Sequence, residues 1–396
     1  MEVEQIIEGG RRKEQEHSQR GYTNRGRERR QMKETRFSRG WFHLAMWSGL
    51  LMTFAILAPL LLVSKGHQQQ AVPSPQGGKA AVSLAAEPAD APPYVRVYIS
   101  ATRKVERIAL ERYVRGVVAA EMPERFELEA LKAQAIAART YIVRRLARGD
   151  VGGAAGGADV TDTVAHQAYV PLAKLTERQH DAIAKLNRAV NDTAGLVLTY
   201  KDKPIEATFF STSNGYTENV EDYWNQKLPY LRSVSSPWDK KLSPRFMTTV
   251  RMEADDFLQK LGVSVNAVPA LKAAISNRDK GVESSDSLSS AIELLSVTKG
   301  KRIGEVQVGT HTFSGREFRE KLGLSSSAIS WKMENGKIVL TTYGYGHGVG
   351  MSQYGAQGMA LEGASAERIL TYYYQGVKLT PVSRVLEKID TAYAKR

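Results

Sequence analysis

Apolar positions change their spacing several times along the 396-residue chain, and each change marks an element. Trp41 to Val63, WFHLAMWSGLLMTFAILAPLLLV, runs for 23 residues without a Lys, Arg, Asp or Glu. As a helix it spans about 34 Å, enough for a hydrocarbon core of about 30 Å, and Trp41 and Trp47 suit its interfacial end. Further on, YVRVYIS (Tyr94 to Ser100) alternates as a strand does. Ile108, Leu110, Tyr113, Val114, Val117 and Val118 lie on one stripe of a helix from Leu110 to Met122. Pro123 stops it, because the residue before a proline is pushed out of the helical region. Leu131, Ala135, Ala138, Ile142 and Leu146 mark a longer helix, Leu128 to Arg148, whose alanines imply close packing.

TERQHDAIAKLNRAVNDTAG, with a Thr cap and a terminal glycine, predicts another helix. LVLTYKDKPIEATFFS predicts a hairpin around Lys201-Asp202-Lys203-Pro204. Beyond it, strands (FMTTVRM, IELLSVTK, RIGEVQVGTHTFS) alternate with helices (EADDFLQKLG, GREFREKLG, SAERILTYYYQG), and ISWKMENGKIVLTTYGYG turns at Asn335-Gly336. There is no βαβ rhythm and no internal repeat. The expected class is α+β, with mixed helices and short antiparallel sheets in one unit from about residue 94 to 390, two-lobed.

Charge gives the apolar run an orientation. Residues 1–40 hold eleven basic and seven acidic side chains, so +4 of the net +13 belongs to a basic tail and +9 to the rest. The positive-inside rule places that tail in the cytoplasm and residues 64–396 outside the membrane. Residues 64–93, rich in Gln, Ala, Pro and Gly, read as a disordered linker. A cleaved signal peptide is the alternative, but the run is too long and its leader too extended. The remaining basic charge suits an anionic wall polymer or lipid; topology alone accounts for the Arg-rich tail, so no nucleic-acid partner is expected. With no cysteine there is neither a disulfide framework nor a thiolate metal site. GxxxxGK[ST], GxGxxG before a helix, and HExxH are all missing.

Three stretches hold side chains suited to chemistry. In VVAAEMPERFELEALKAQAIAARTYIV, Val117 to Val143, Glu121 follows four small apolar residues and precedes Met122-Pro123, where a hydrophobe fits the stripe better. Val117, Val118 and Met122 would desolvate it, and the last helical turn sets it against the negative end of the helix dipole. Both keep a carboxyl protonated; a solvated surface glutamate is the ordinary alternative. Glu124, Glu127 and Glu129 read as surface and first-turn residues, which leaves Glu121 without a paired acid. Gln134, Arg139 and Tyr141 are polar groups on an alanine-rich helix, placed to orient Glu121 or bind a ligand, though a nearby Arg139 would lower the pKa of Glu121.

The second stretch, FFSTSNGYTENVEDYW, ends a strand in small polar residues; a polar turn is its ordinary reading. The third, YGYGHGVGMSQYGAQGMA, has six glycines from Gly344 to Gly358 around His347, Gln353 and Tyr354. Such a run is costly to order unless the backbone must turn tightly or approach something closely. His347 has a structural reading as well as a functional one. The seven histidines show no metal-ligand spacing.

In this order, these three motifs resemble the stage II sporulation protein D family, whose relatives include amidase enhancers; the resemblance spans residues 94–385. It implies a lytic transglycosylase. Such an enzyme cuts the β-1,4 bond between N-acetylmuramic acid and N-acetylglucosamine in peptide-stripped peptidoglycan and leaves a 1,6-anhydro sugar. The glutamate of the family's AAEMP motif, Glu121 here, is the catalytic one, acting as single acid and base. The resemblance further implies a glycan groove lined by the glycine-rich stretches. Ser211, Thr212, Ser213 and Asn214 would meet N-acetyl and hydroxyl groups, while His347, Gln353 and Tyr354 would hydrogen-bond or stack.

It also implies work at the septum during spore engulfment, on the mother-cell side of a single-pass anchor. The partners would be an amidase, stage II sporulation protein P, and a membrane protein, stage II sporulation protein M. Some relatives bind zinc through Cys and His near the segment matching DVTDTVAHQAY; this chain has His166 but no cysteine, so neither metal nor cofactor is expected. A non-catalytic peptidoglycan-binding module that activates an amidase is the rival reading.

Overall fold

The computed structural model describes residues 93–149, 154–163, 165–175, 180–276 and 291–393. The predicted tail, anchor and linker lie outside them, and no helix among the described residues is long and apolar enough to cross a membrane. The class is α+β, with several small sheets.

Strands β1 (Tyr94–Ile99) and β2 (Lys104–Ala109) pair antiparallel, with Tyr94 opposite Ala109. Helix α1 (Leu110–Glu121) leaves β2 directly, and α2 (Leu128–Arg148) follows the proline break. Buried residues surround α2 from Ala130 to Val143, so it runs through the middle of the first core. Five buried alanines, Ala130, Ala133, Ala135, Ala137 and Ala138, let its neighbours approach closely. Strand β3 (Val160–Thr161) pairs parallel to β1. After α3 (Leu172–Leu175) and α4 (His180–Asn191) come β4 (Leu196–Tyr200) and β5 (Lys203–Pro204), joined by Lys201 and Asp202 at φ 48° and 60°. The hairpin's second arm is shorter than its sequence predicts. Strand β6 (Phe209–Phe210) instead pairs with a distant segment, and the short helix α5 (Asp239–Leu242) closes this half.

The chain then builds a second core. It comprises β7 (Met247–Met252), α6 (Ala254–Leu261), α7 (Pro269–Ser276), β8 (Ile292–Val297), β9 (Ile303–Val308), β10 (His311–Ser314), α8 (Gly315–Leu322), β11 (Ile329–Glu334) and β12 (Lys337–Tyr343). Phe257, Leu271, Val306, Phe318 and Ile338 are among its buried residues. Two three-stranded sheets, ordered β10-β9-β8 and β11-β12-β7, flank it. Asn335 and Gly336, both at positive φ, turn β11 into β12.

The first core resumes with β13 (Met351–Ser352), parallel to β6. It ends with α9 (Gln353–Leu361), α10 (Ala366–Tyr373), β14 (Lys378–Pro381) beside β4, and α11 (Val382–Tyr393). Two close approaches explain glycines in the third motif. A Cβ on Gly350, whose φ is 83°, would lie 2.0 Å from the Thr208 carbonyl oxygen, and one on Gly355 would lie 2.1 Å from the Tyr373 hydroxyl.

Candidate active site

Helix α1 ends on Glu121. Its stripe of Tyr113, Val114, Val117 and Val118 is fully buried, which fixes the rotation of the helix. Met122 turns extended (φ −118°, ψ 141°) ahead of Pro123, and the last helical turn has no basic residue. The half-buried carboxyl of Glu121 accepts hydrogen bonds from Gln353 Nε2, at 3.4 Å, and from the Ala168 backbone N–H. Burial pushes its pKa up; the two hydrogen bonds pull the other way without cancelling it. No charged side chain among the described residues contributes to that balance. The helix C-terminus works in the same direction as burial.

Glu121 opens into a groove of about 680 Å3. The chain from Ala119 to Phe126 forms part of its lining, and Ser211, Pro244, Arg245, Gln353 and Tyr354 form the rest. Tyr354 packs edge-on against Phe126, with ring centroids 5.0 Å apart, and its hydroxyl accepts from Arg125 Nη2 at 3.5 Å. Glu124 lines this groove as well, which corrects its reading as plain surface.

Of the residues singled out in sequence, Glu121, Ser211, Gln353 and Tyr354 meet in the groove. The others stand elsewhere. Arg139 is fully buried, forked onto Glu111, with Nη1 donating to the Leu196 carbonyl at 3.1 Å. It cannot bind a ligand there, and its charge is spent on Glu111. Gln134 is also fully buried, and Tyr141 packs half-buried at the edge of the first core. Neither lines the groove.

Thr212 bridges to Tyr345, and Asn214 Nδ2 donates to the carbonyls of Gly300 and Lys301 in the second core's β8–β9 turn. Ser213 belongs to a buried hub that sequence reasoning missed. Asp239 accepts from the Ser213 N–H at 2.8 Å and from the hydroxyls of Ser352 and Ser236. Ser352 in turn caps α9 through the Gly355 N–H. The second motif is therefore tied to the helix start that carries Gln353 to Glu121. Asp239 lies in WDKK, a run that reads as surface charge, and no local signal marks it.

His347 is not a groove residue. It sits half-buried against Trp224, Phe210 and Tyr223, and its Nδ1 accepts the Val349 N–H at 3.1 Å. Burial, reinforced by the charges of Arg319 and Arg302, lowers its pKa to about 3 against a hydrogen bond to the Phe209 backbone. The ring is neutral in the folded protein but titrates near 6.5 when unfolded. Between those values the unfolded chain binds more protons, so His347's contribution to stability is lost as pH falls from about 6.5 toward 3. The loss reaches about 1.4 kcal/mol per pH unit. Urea midpoints taken from pH 7.5 to 5 should fall less steeply for His347→Gln than for wild type. Equal slopes would mean the histidine does not titrate on unfolding.

The architecture and groove define an α+β protein whose groove holds a desolvated carboxyl at a helix end. Residues 98–200 match the model of the family described as Stage II sporulation protein. The chain is 42% identical over 355 residues to the stage II sporulation protein D of Bacillus subtilis, covering 87% of this chain and 97% of that protein. It is 41% identical over 350 residues to the protein of that name from Bacillus amyloliquefaciens, covering 85% and 96%. Against the amidase enhancer of Bacillus subtilis the identity is 30% over 300 residues, 67% of this chain and 40% of that protein. The chain belongs to the stage II sporulation protein D family.

Proposed function

We propose that the protein is a membrane-anchored lytic transglycosylase that cleaves the N-acetylmuramic acid to N-acetylglucosamine bond of peptide-stripped glycan strands. The observation that carries this reading is Glu121: a carboxyl at the groove, raised in pKa by burial, hydrogen-bonded to Gln353, and free of charged perturbers among the described residues. In the proposed reaction its proton passes to the bridging oxygen as the C1–O bond breaks. The muramic acid's own 6-hydroxyl then closes on C1, and its proton returns to Glu121, so no water is consumed. The setting would be the septum during spore engulfment, on the mother-cell side of the membrane. The amidase stage II sporulation protein P would act beforehand, and stage II sporulation protein M would be a membrane partner.

Two observations favour other readings. Glu124 in the same groove suits a hydrolase that uses a second carboxylate, which would leave reducing ends. The amidase enhancer relative suits a non-catalytic module that activates an amidase. Mass spectrometry of denuded strands after incubation with the protein separates all three. Anhydro ends are expected; reducing ends would favour the hydrolase, and unchanged strands the binding module.

A further inference from the structure

Two guanidinium groups line the groove, Arg125 beside the helix break and Arg245 just ahead of the second core. Both side chains are exposed. Among the described residues Arg125 reaches only the Tyr354 hydroxyl, and Arg245 lies over the Tyr345 ring, 5.0 Å from its centroid. Neither pairs with a carboxylate among the described residues, although Arg96, Arg139, Arg144 and Arg232 each have one. Nor are they placed to spoil the acid, since neither contributes to the shift at Glu121. Glu124, the other groove carboxylate, is held in an interaction of its own. Two guanidinium groups without a carboxylate partner among the described residues thus face one groove, a feature that a neutral glycan would not need.

A peptide-free muramic acid supplies the missing anion. Its 3-O-lactyl group ends in a carboxylate, whereas in a strand that keeps its stem peptides the same carbon is an uncharged amide. Guanidinium is the side chain best shaped to take a carboxylate, by two parallel hydrogen bonds. We propose that Arg125 and Arg245 bind the free lactyl carboxylate, so that the groove itself selects strands from which the peptides have been removed. This rests on the glycan-groove reading above but not on cleavage: selective binding needs no turnover. It gives amidase action a chemical meaning for the site, because it creates the charge the groove reads.

The test is equilibrium binding by the full-length chain in detergent micelles, carrying Glu121→Gln so that strands stay intact. The ligands are denuded strands and the same strands with their lactyl carboxylates converted to methylamides. Denuded strands should bind about tenfold more tightly, and the advantage should shrink with salt. In Arg125→Gln/Arg245→Gln the two ligands should bind alike. Lys240→Gln/Lys241→Gln, which removes two exposed charges outside the groove, should keep the selectivity.

Equal binding by the parent overturns the proposal. So does selectivity that survives loss of both arginines, or that is lost equally in the lysine control. Selective binding by a protein that yields no anhydro ends would instead sink the transglycosylase reading and leave this one standing. Thermal melts of both double variants confirm that the fold is kept.

Discussion

Glu121→Gln should stop anhydro-product formation, by a thousandfold or more, while leaving the protein at least as stable as wild type. The amide keeps the shape and one acceptor oxygen but has no acidic proton to give the bridging oxygen. General acid–base catalysis contributes about 10²–10⁴ in rate, and here one group performs both halves. The stability half follows from the sign of the shift. Burial raises the folded pKa of Glu121 above its unfolded value, so between the two the folded state binds more protons. Stability therefore falls as pH rises through that window, and above it the wild type carries the cost of a desolvated carboxylate. The glutamine removes it, a trade of stability for activity seen where a site is built under strain. Wild-type cleavage should likewise decline as pH rises through the raised pKa. Initial rates by mass spectrometry and urea midpoints check both halves. A variant that still cleaves, or one that melts well below wild type, contradicts this account of the site.

How far sequence reached depended on where each residue's partner lies. The end of α1 was legible because all its causes are local: an apolar stripe, a proline one residue past the cap, and a carboxyl between them. The Asn335-Gly336 turn was legible for the same reason, since its positive φ is a property of those two residues. The third motif was half legible. Its first glycines do supply backbone turns, but Gly355 and Gly358 sit inside helix α9, where Tyr373 and Trp238 press too close for a side chain. Helix propensity alone counts those glycines against a helix, and tertiary packing overrode it.

Polar residues misled more than apolar ones. Arg139 and Gln134 stood out on an alanine-rich helix, and nothing local separates a groove-facing polar side chain from a buried one. The partner of Arg139 is 28 residues upstream on a different helix. Asp239, Arg125 and Arg245 were passed over for the converse reason: in charged, proline-containing segments they look like solvated surface. His347 shows the limit from the other side. A histidine among glycines suggests chemistry, but the aromatic cluster that encloses it is assembled from residues more than 120 positions earlier in the chain.

Arg139→Met should destabilise the protein by about 3–5 kcal/mol, the cost of leaving a partly buried charge without its partner. The Glu111 carboxylate, 16% exposed, would then face the first core with only the Gly195 N–H, at 3.0 Å, to satisfy it. The guanidinium joins four elements at once: α2, which carries it; α1 through Glu111; α4 through the Val190 carbonyl; and β4 through Leu196. Arg139→Lys keeps the charge but not the fork, so it should cost less than the methionine and more than nothing. The pair Arg139→Met/Glu111→Leu should recover a large part of the loss, because neither charge is then orphaned; urea denaturation of the four proteins measures the series.

The distinction bears directly on the site. α1 ends on Glu121, and Glu111 is one of the residues that fix how that helix is rotated and seated. An arginine that oriented the acid would, on removal, lower activity in a protein of nearly normal stability. An arginine that holds α1 in place would lower both together, and the apolar pair would restore both together. Activity recovered along with stability in the double variant places Arg139 in the scaffold, whereas stability recovered without activity would return it to the site.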